Sequence, residues 1–499
     1  MRLSILITGA LVSALASAHS AEETYSSEHT HYSESLHAQS PPLPTILANA
    51  SDYGSCAAAS WPPSDVGTRL IPQAPDDELQ AMMKEIDPVR IQAIIEKLVS
   101  FGTRHTLSNQ TDPKRGIGAA RDWIAAEMRT LAAPSGGRMK VEVQSYIQPV
   151  ASRISFPVRI SNVVATLQGS TDPSRVYVIT GHYDSRITDV MNYWDDAPGA
   201  DDDGSGVAIM MELCRIMATR HPKATMVFGA VAGEEQGLYG STFMAQTYRN
   251  ASVNVEAMLD NDIAGASVGD KGQKDPYTIR LFAQGTLPNG TESAARAATR
   301  LVIGGENDSP ARELARYSNE VAANGATGMN VAIIYRLDRY LRGGDHSSFL
   351  SAGYAAIRFT EPNENFAHQH QDVRVENGTQ YGDLAEFVDY DFTARVAKVN
   401  MATMWSLANA PGMVRNVSVN AMTLSNDSEF YWAASNETGL AGYEVVWRPT
   451  TAPLWTHVVP VGNVNTAKVP LSKDNVIFGV RSVGSNGYKS PAVIPFPVS

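Results

Sequence analysis

Between residues 176 and 262 short apolar runs alternate with helical stretches: VYVITG (176–181), a helical stripe from Ser205, ATMVFGAVAG (224–233), a second helix from near Tyr239, and VEAMLDND (255–262). Short apolar runs bounded by glycine and charge read as strands covered on both faces, and strands separated by helices become parallel neighbours through crossovers. The pattern therefore predicts an α/β fold, a mostly parallel central sheet flanked by helices. In open sheets of this kind ligands sit beyond the carboxyl ends of the strands, so the residues directly after each run are the candidates for chemistry. They are His182-Tyr183-Asp184, then Glu234-Glu235, then Asp260 and Asp262. Between the first two lies GADDDGSGVA (199–208), where Asp201, Asp202 and Asp203 repel one another unless a cation sits among them. One imidazole with several carboxylates is the donor mixture that suits Zn²⁺.

Two other readings of the Asp triplet compete. Asp201-x-Asp203-x-Ser205-Gly206 followed by Glu212 has the spacing of an EF-hand calcium loop. Pro198-Gly199 breaks the entering helix such a loop needs, and the stripe Val207, Met210, Met211, Cys214 and Met217 begins inside it. A helix N-terminus also favours an Asp, but one capping Asp satisfies it, and three exceed it.

The blocks GHYDS, PGADDDGSG, GEEQGLYGS, DNDIAG, DHSSF and HQHQD, in this order over roughly residues 85–405, resemble the co-catalytic di-zinc aminopeptidases of the bacterial leucyl-aminopeptidase type. The resemblance implies a secreted metallopeptidase with two Zn²⁺ ions, peptide or protein substrates and a two-zinc-activated water. It implies His182, Asp202, Glu235, Asp262 and a late histidine as metal ligands, with Asp202 shared between the ions and Asp260 the lesser choice beside Asp262. The family's His-x-x-x-Asp spacing selects His368 over His370 in His368-Gln369-His370-Gln371-Asp372. Glu234 becomes the general base, and Asp184 orients the His182 ring. Neighbouring side chains on extended backbone point apart, which agrees with separate duties for Glu234 and Glu235. Endo- or carboxypeptidase action on the same site, a glutaminyl-cyclase-like acyltransferase and a non-catalytic binding ectodomain are the alternatives.

The rest of the chain frames this domain. MRLSILITGALVSALASA (1–18) has a basic start, an apolar run and a small-x-small end, the pattern of a secretory signal peptide. Residues 19–75 read as a disordered tail or pro-segment, polar and histidine-rich in their first part. Residues 76–410 form the catalytic domain, opening with helices marked by Leu79, Met82, Met83 and Ile86 and by Ile91, Ile94, Ile95 and Leu98. After Ala410-Pro411-Gly412 seven alternating runs with Asn/Asp/Gly turns predict a β-sandwich over 411–499 that resembles a fibronectin type III module. Cys56 and Cys214 are the chain's two cysteines, which excludes a disulfide-stapled scaffold and leaves their pairing open. A net charge of -12 with no basic run argues against nucleic acid or an anionic membrane as partner. No later stretch approaches about twenty apolar residues, the length of a membrane span. Nine Asn-x-Ser/Thr sequons, at Asn49, Asn109, Asn250, Asn289, Asn307, Asn377, Asn416, Asn426 and Asn436, predict surface glycans in a secreted chain.

Overall fold

The computed structural model describes residues 62–63, 65–288 and 290–498, all within one compact unit that runs from Ser60 to Ser499. The expected signal peptide, the histidine-rich stretch, Asn49, Cys56 and Asn289 lie outside the described residues. A two-residue strand, β1 (Thr68–Arg69), precedes the main sheet, whose eight strands are β2 (Met139–Gln148), β3 (Val158–Leu167), β4 (Asp172–His182), β5 (Ala224–Val231), β6 (Asn254–Asn261), β7 (Thr278–Phe282), β8 (Asn330–Ile334) and β9 (Ala356–Thr360). Their order is β2-β3-β5-β4-β6-β9-β7-β8. The centre, β5-β4-β6-β9, is parallel as expected. Both edges depart from that pattern. The hairpin β2–β3 adds antiparallel to β5, and β7 runs antiparallel to β9 with β8 parallel to it. The physical signature of the centre is burial: every residue of β5 is buried, and β2 at the edge is mostly not.

Nine α-helices are present among the described residues: α1 (Asp77–Lys84), α2 (Pro88–Val99), α3 (Ile117–Ala132), α4 (Gly204–Met217), α5 (Tyr239–Asn250), α6 (Ala294–Val302), α7 (Pro310–Ala322), α8 (His346–Ser351) and α9 (Tyr390–Asn409). The helices α2, α3, α4, α7 and α9 pack through one another on one face, and α5 and α8 cover the other. The helix α4 is the one that matters for the site. Its stripe is buried throughout except at Arg215, and its first turn lies directly on the strand ends. A Cβ on Gly206 would stand 2.2 Å from the Asn261 carbonyl oxygen, and one on Gly181 would stand 2.4 Å from the Gly206 carbonyl carbon. Only glycine permits backbone to approach that closely, so these two positions set how near the Asp triplet comes to His182 and Asp262. No helix among the described residues is long and apolar enough to cross a membrane.

Six of the seven C-terminal runs contain strands and the seventh reaches one only at its last residue, Phe496; together they build two four-stranded sheets around Phe430, Val445, Trp447 and Val480. The eighth strand is β1, which pairs with His457–Gly462. The Val66 carbonyl accepts from Trp447 Nε1 at 2.9 Å, and Leu70 N donates to Thr456 O at 2.8 Å. The tail expected over 19–75 therefore ends earlier, because residues from Val66 onward complete the sandwich edge before the chain enters α1. The sandwich is joined to α7 by buried charge: Arg448 to Asp308 at 2.6 Å, Arg481 to Glu320 at 2.9 Å, and Trp455 Nε1 to Glu313 at 2.9 Å. The Tyr488 hydroxyl donates to Asp76, the N-cap of α1, at 2.6 Å.

Candidate metal centre

Three parallel strands deliver the site. β4 ends in His182, β5 leads into Glu234-Glu235 and β6 leads into Asp262, while Asp202 and Asp203 stand directly before the first turn of α4. Asp203 is the N-cap: Oδ1 accepts from Gly206 N at 2.9 Å, and Oδ2 accepts from His182 N at 2.9 Å, which ties helix to strand. The Asp202–Asp203 peptide is cis. Asp201 turns away, accepting from Gly265 N at 2.7 Å. Asp383 accepts from the amides of Asp201 at 2.9 Å and Asp202 at 2.7 Å, fixing the triplet's backbone.

Two clusters of potential ligands emerge, His182 with Asp202 and Asp262, and Asp202 with Glu235 and His370. Asp202 Oδ1 lies 3.1 Å from His182 Nε2, and its Oδ2 lies 2.8 Å from His370 Nε2. His370 Nε2 is also 2.9 Å from Glu235 Oε1, and His182 Nε2 is 3.9 Å from Asp262 Oδ1. The expected His368 is not among these residues. Its ring stacks flat on Phe387, centroids 3.6 Å apart, whereas His370 takes a left-handed backbone with φ 55 that turns its ring into the cluster. Asp260 also stays out, because His346 of the DHSSF block holds it through backbone N at 3.1 Å and Nδ1 at 3.2 Å.

The surrounding shell explains the geometry. His182 Nδ1 faces the Asp184 carbonyl at 3.1 Å, which places the ring proton there and leaves Nε2 for the cluster. The Asp184 carboxylate accepts from Thr106 Oγ1 at 2.9 Å and from the amides of Glu234 and Glu235 at 3.2 Å each. Asp184 thus pins the Glu234–Glu235 turn as well as the imidazole, a second duty invisible in its spacing. Burial alone would raise its pKa, but His182, Thr106 and the Glu234 amide hold it below the ordinary value. Glu235 is buried and Glu234 half-buried. Burial, and then Asp262, Glu235 and Asp345 outweighing His182, push the Glu234 carboxyl above the ordinary carboxylate range.

Two arginines complete the outer carboxylates. Arg358 Nη2 lies 2.9 Å from Asp262 Oδ1, and its Nη1 lies 2.7 Å from Asp338. Arg186 Nε lies 2.8 Å from Glu235 Oε2. Arg358 is legible in hindsight: a charge inside the apolar strand AIRFT stays buried only if it is paired. Arg186 follows Asp184 by two residues and carries no such signal.

Whether zinc fits can be judged from the donors. Glu235 Oε1 and His370 Nε2 are buried and lack a hydrogen-bond partner within the protein, although they face each other. A cation between them satisfies both atoms. Each cluster offers one imidazole and two carboxylates, three protein ligands, which leaves the open coordination position that separates catalytic from structural zinc sites. Two sizeable cavities are elsewhere: volumes of ≈ 790 and ≈ 480 Å³ lie between sandwich and sheet, and share Asn254 and Glu256 at the end of β6 opposite to Asp262. The chemistry follows the ligand geometry and not the cavity size.

A model described as Peptidase family M28 matches residues 162–390. A "Probable zinc metalloprotease" of Pyrenophora teres f. teres (strain 0-1) is 68% identical over 452 residues, which covers 91% of this chain and 94% of that protein. A protein of the same description from Pyricularia oryzae is 67% identical over 466 residues, with 91% and 93% covered. Among solved structures, the Legionella pneumophila LapA aminopeptidase aligns with a TM-score of 0.46 at 18% identity, over 67% of this chain and 75% of that one.

Proposed function

The chain belongs to peptidase family M28 and is a zinc metalloprotease, and on that premise we propose that it is a secreted aminopeptidase that removes N-terminal residues from peptides with two zinc ions. The observation that carries the two-metal reading is Asp202, which sets one oxygen against His182 and the other against His370. His182, Asp202 and Asp262 in one cluster and Asp202, Glu235 and His370 in the other would hold the zinc, which when bound would supply a water of lowered pKa and a Lewis acid for the scissile carbonyl.

The protein's own groups divide the remaining work. Glu234 takes a proton from the attacking water and returns it to the leaving amine. Asp184 holds that carboxylate's backbone and the His182 ring in one frame, so that base and ligand keep a fixed relation. Arg186 and Arg358 occupy the outer carboxylates and fix their orientation. The exopeptidase reading draws on the motif resemblance. Secretion rests on the pattern of residues 1–18.

Amino-acid release from an unblocked peptide and its N-acetylated twin tests this, with chelator and zinc add-back. Release only from the free N-terminus, lost on chelation and restored by zinc, is the expected outcome. Cleavage of both peptides assigns endo- or carboxypeptidase action to the same site.

A further inference from the structure

Nine of the chain's 25 asparagines open an Asn-x-Ser/Thr sequon, and the structure describes seven of them: Asn109, Asn250, Asn307, Asn377, Asn416, Asn426 and Asn436. All seven are exposed. The other sixteen asparagines are distributed differently: only Asn254, Asn330, Asn463, Asn465 and Asn486 are exposed, and Asn162, Asn261, Asn400 and Asn409 are buried. Sequons placed by chance would share the exposure of the remaining asparagines.

The hydrogen bonds divide the two groups in the same way. Nine of the sixteen others donate through Nδ2, as Asn162 does to Gly240 O at 2.8 Å and Asn319 to Val331 O at 2.8 Å. Among the described residues no sequon Nδ2 donates a hydrogen bond. Where sequon side chains are engaged they accept: Asn109 Oδ1 takes the Thr111 amide at 2.8 Å and the Thr111 hydroxyl at 3.2 Å, which turns its amide nitrogen outward. Asn377 occupies the tip of the hairpin Arg374–Glu376 to Thr379–Tyr381, with φ 50.

We infer that these seven asparagines are N-glycan acceptors, and that the chain is modified as it enters a secretory compartment. A glycan is bulky and hydrophilic and has to project into water, which every one of the seven positions allows. The host supplies a lipid-diphosphate-linked oligosaccharide. Its anomeric carbon forms a bond to Nδ2, the carbon–oxygen bond to the diphosphate breaks, the lipid diphosphate leaves with the electron pair, and Nδ2 gives up one proton. Asn307, whose Oδ1 accepts from Arg312, is the most constrained of the set.

The full chain with its own N-terminus, expressed in a yeast host, is treated with a peptide N-glycosidase in heavy-oxygen water and mapped by mass spectrometry. The expected result is protein in the medium with the heavy label at most of the seven positions, and loss of the Asn109 label alone in Thr111→Ala. A chain retained in the cytosol, label at fewer than half of the seven, or a persisting Asn109 label in Thr111→Ala overturns the inference. None of these readouts depends on peptidase activity.

Discussion

Asp202 lies against His182 through one oxygen and against His370 through the other, and the atoms that hold it there are backbone amides bound to Asp383 and an N-cap at Asp203. At this scale function divides between neighbours: Glu235 faces His370 within a ligand cluster, and Glu234, outside both clusters, is the proposed group for proton transfer. Glu234→Gln keeps the shape and loses the base, so turnover should fall by about 10²–10⁴-fold while zinc content is unchanged. Steady-state kinetics with metal analysis on the same preparation checks both halves. The two histidines of HQHQD give a sharper contrast. His370→Ala should lose one bound metal, and His368→Ala, which removes only a ring stacked on Phe387, should keep the full complement. Spacing alone could not choose His370, because the choice is made by a left-handed turn at that residue, and no property of its side chain announces the turn.

The elements tell a different story about what a sequence reveals. Strands β4, β5 and β6 and the helix α4 are readable from apolar runs, glycine boundaries and a clean helical stripe, because burial on both faces of a sheet leaves few polar positions. The strand β1 is not: two exposed residues, Thr68 and Arg69, carry no periodicity, and their partners lie nearly four hundred positions away. The strands β7 and β8 on one side of the sheet are short and join it in mixed directions that local pattern does not specify. The junction of α7 with the sandwich is equally non-local. Asp308 there accepts from Arg316 at 2.9 Å and from Arg448 at 2.6 Å, all three buried. Arg448→Ala leaves this carboxylate undercompensated and should lower stability by about 3–5 kcal/mol, read as a shift in the chemical-denaturation midpoint with metal content preserved.

For the whole molecule, sandwich and peptidase layer share one compact unit, and the chain passes from the sandwich edge at β1 into α1 before it builds the sheet. The sandwich contacts the catalytic layer at α7 and at the N-cap of α1. The central claim is that Asp202 is shared by two metal sites. It is tested most directly by counting zinc per chain in the purified, zinc-loaded protein by plasma mass spectrometry. Two ions per chain in the wild type, reduced in Asp202→Ala with loss of both, is the predicted result. A single ion in the wild type, or two ions retained in Asp202→Ala, would contradict the shared site.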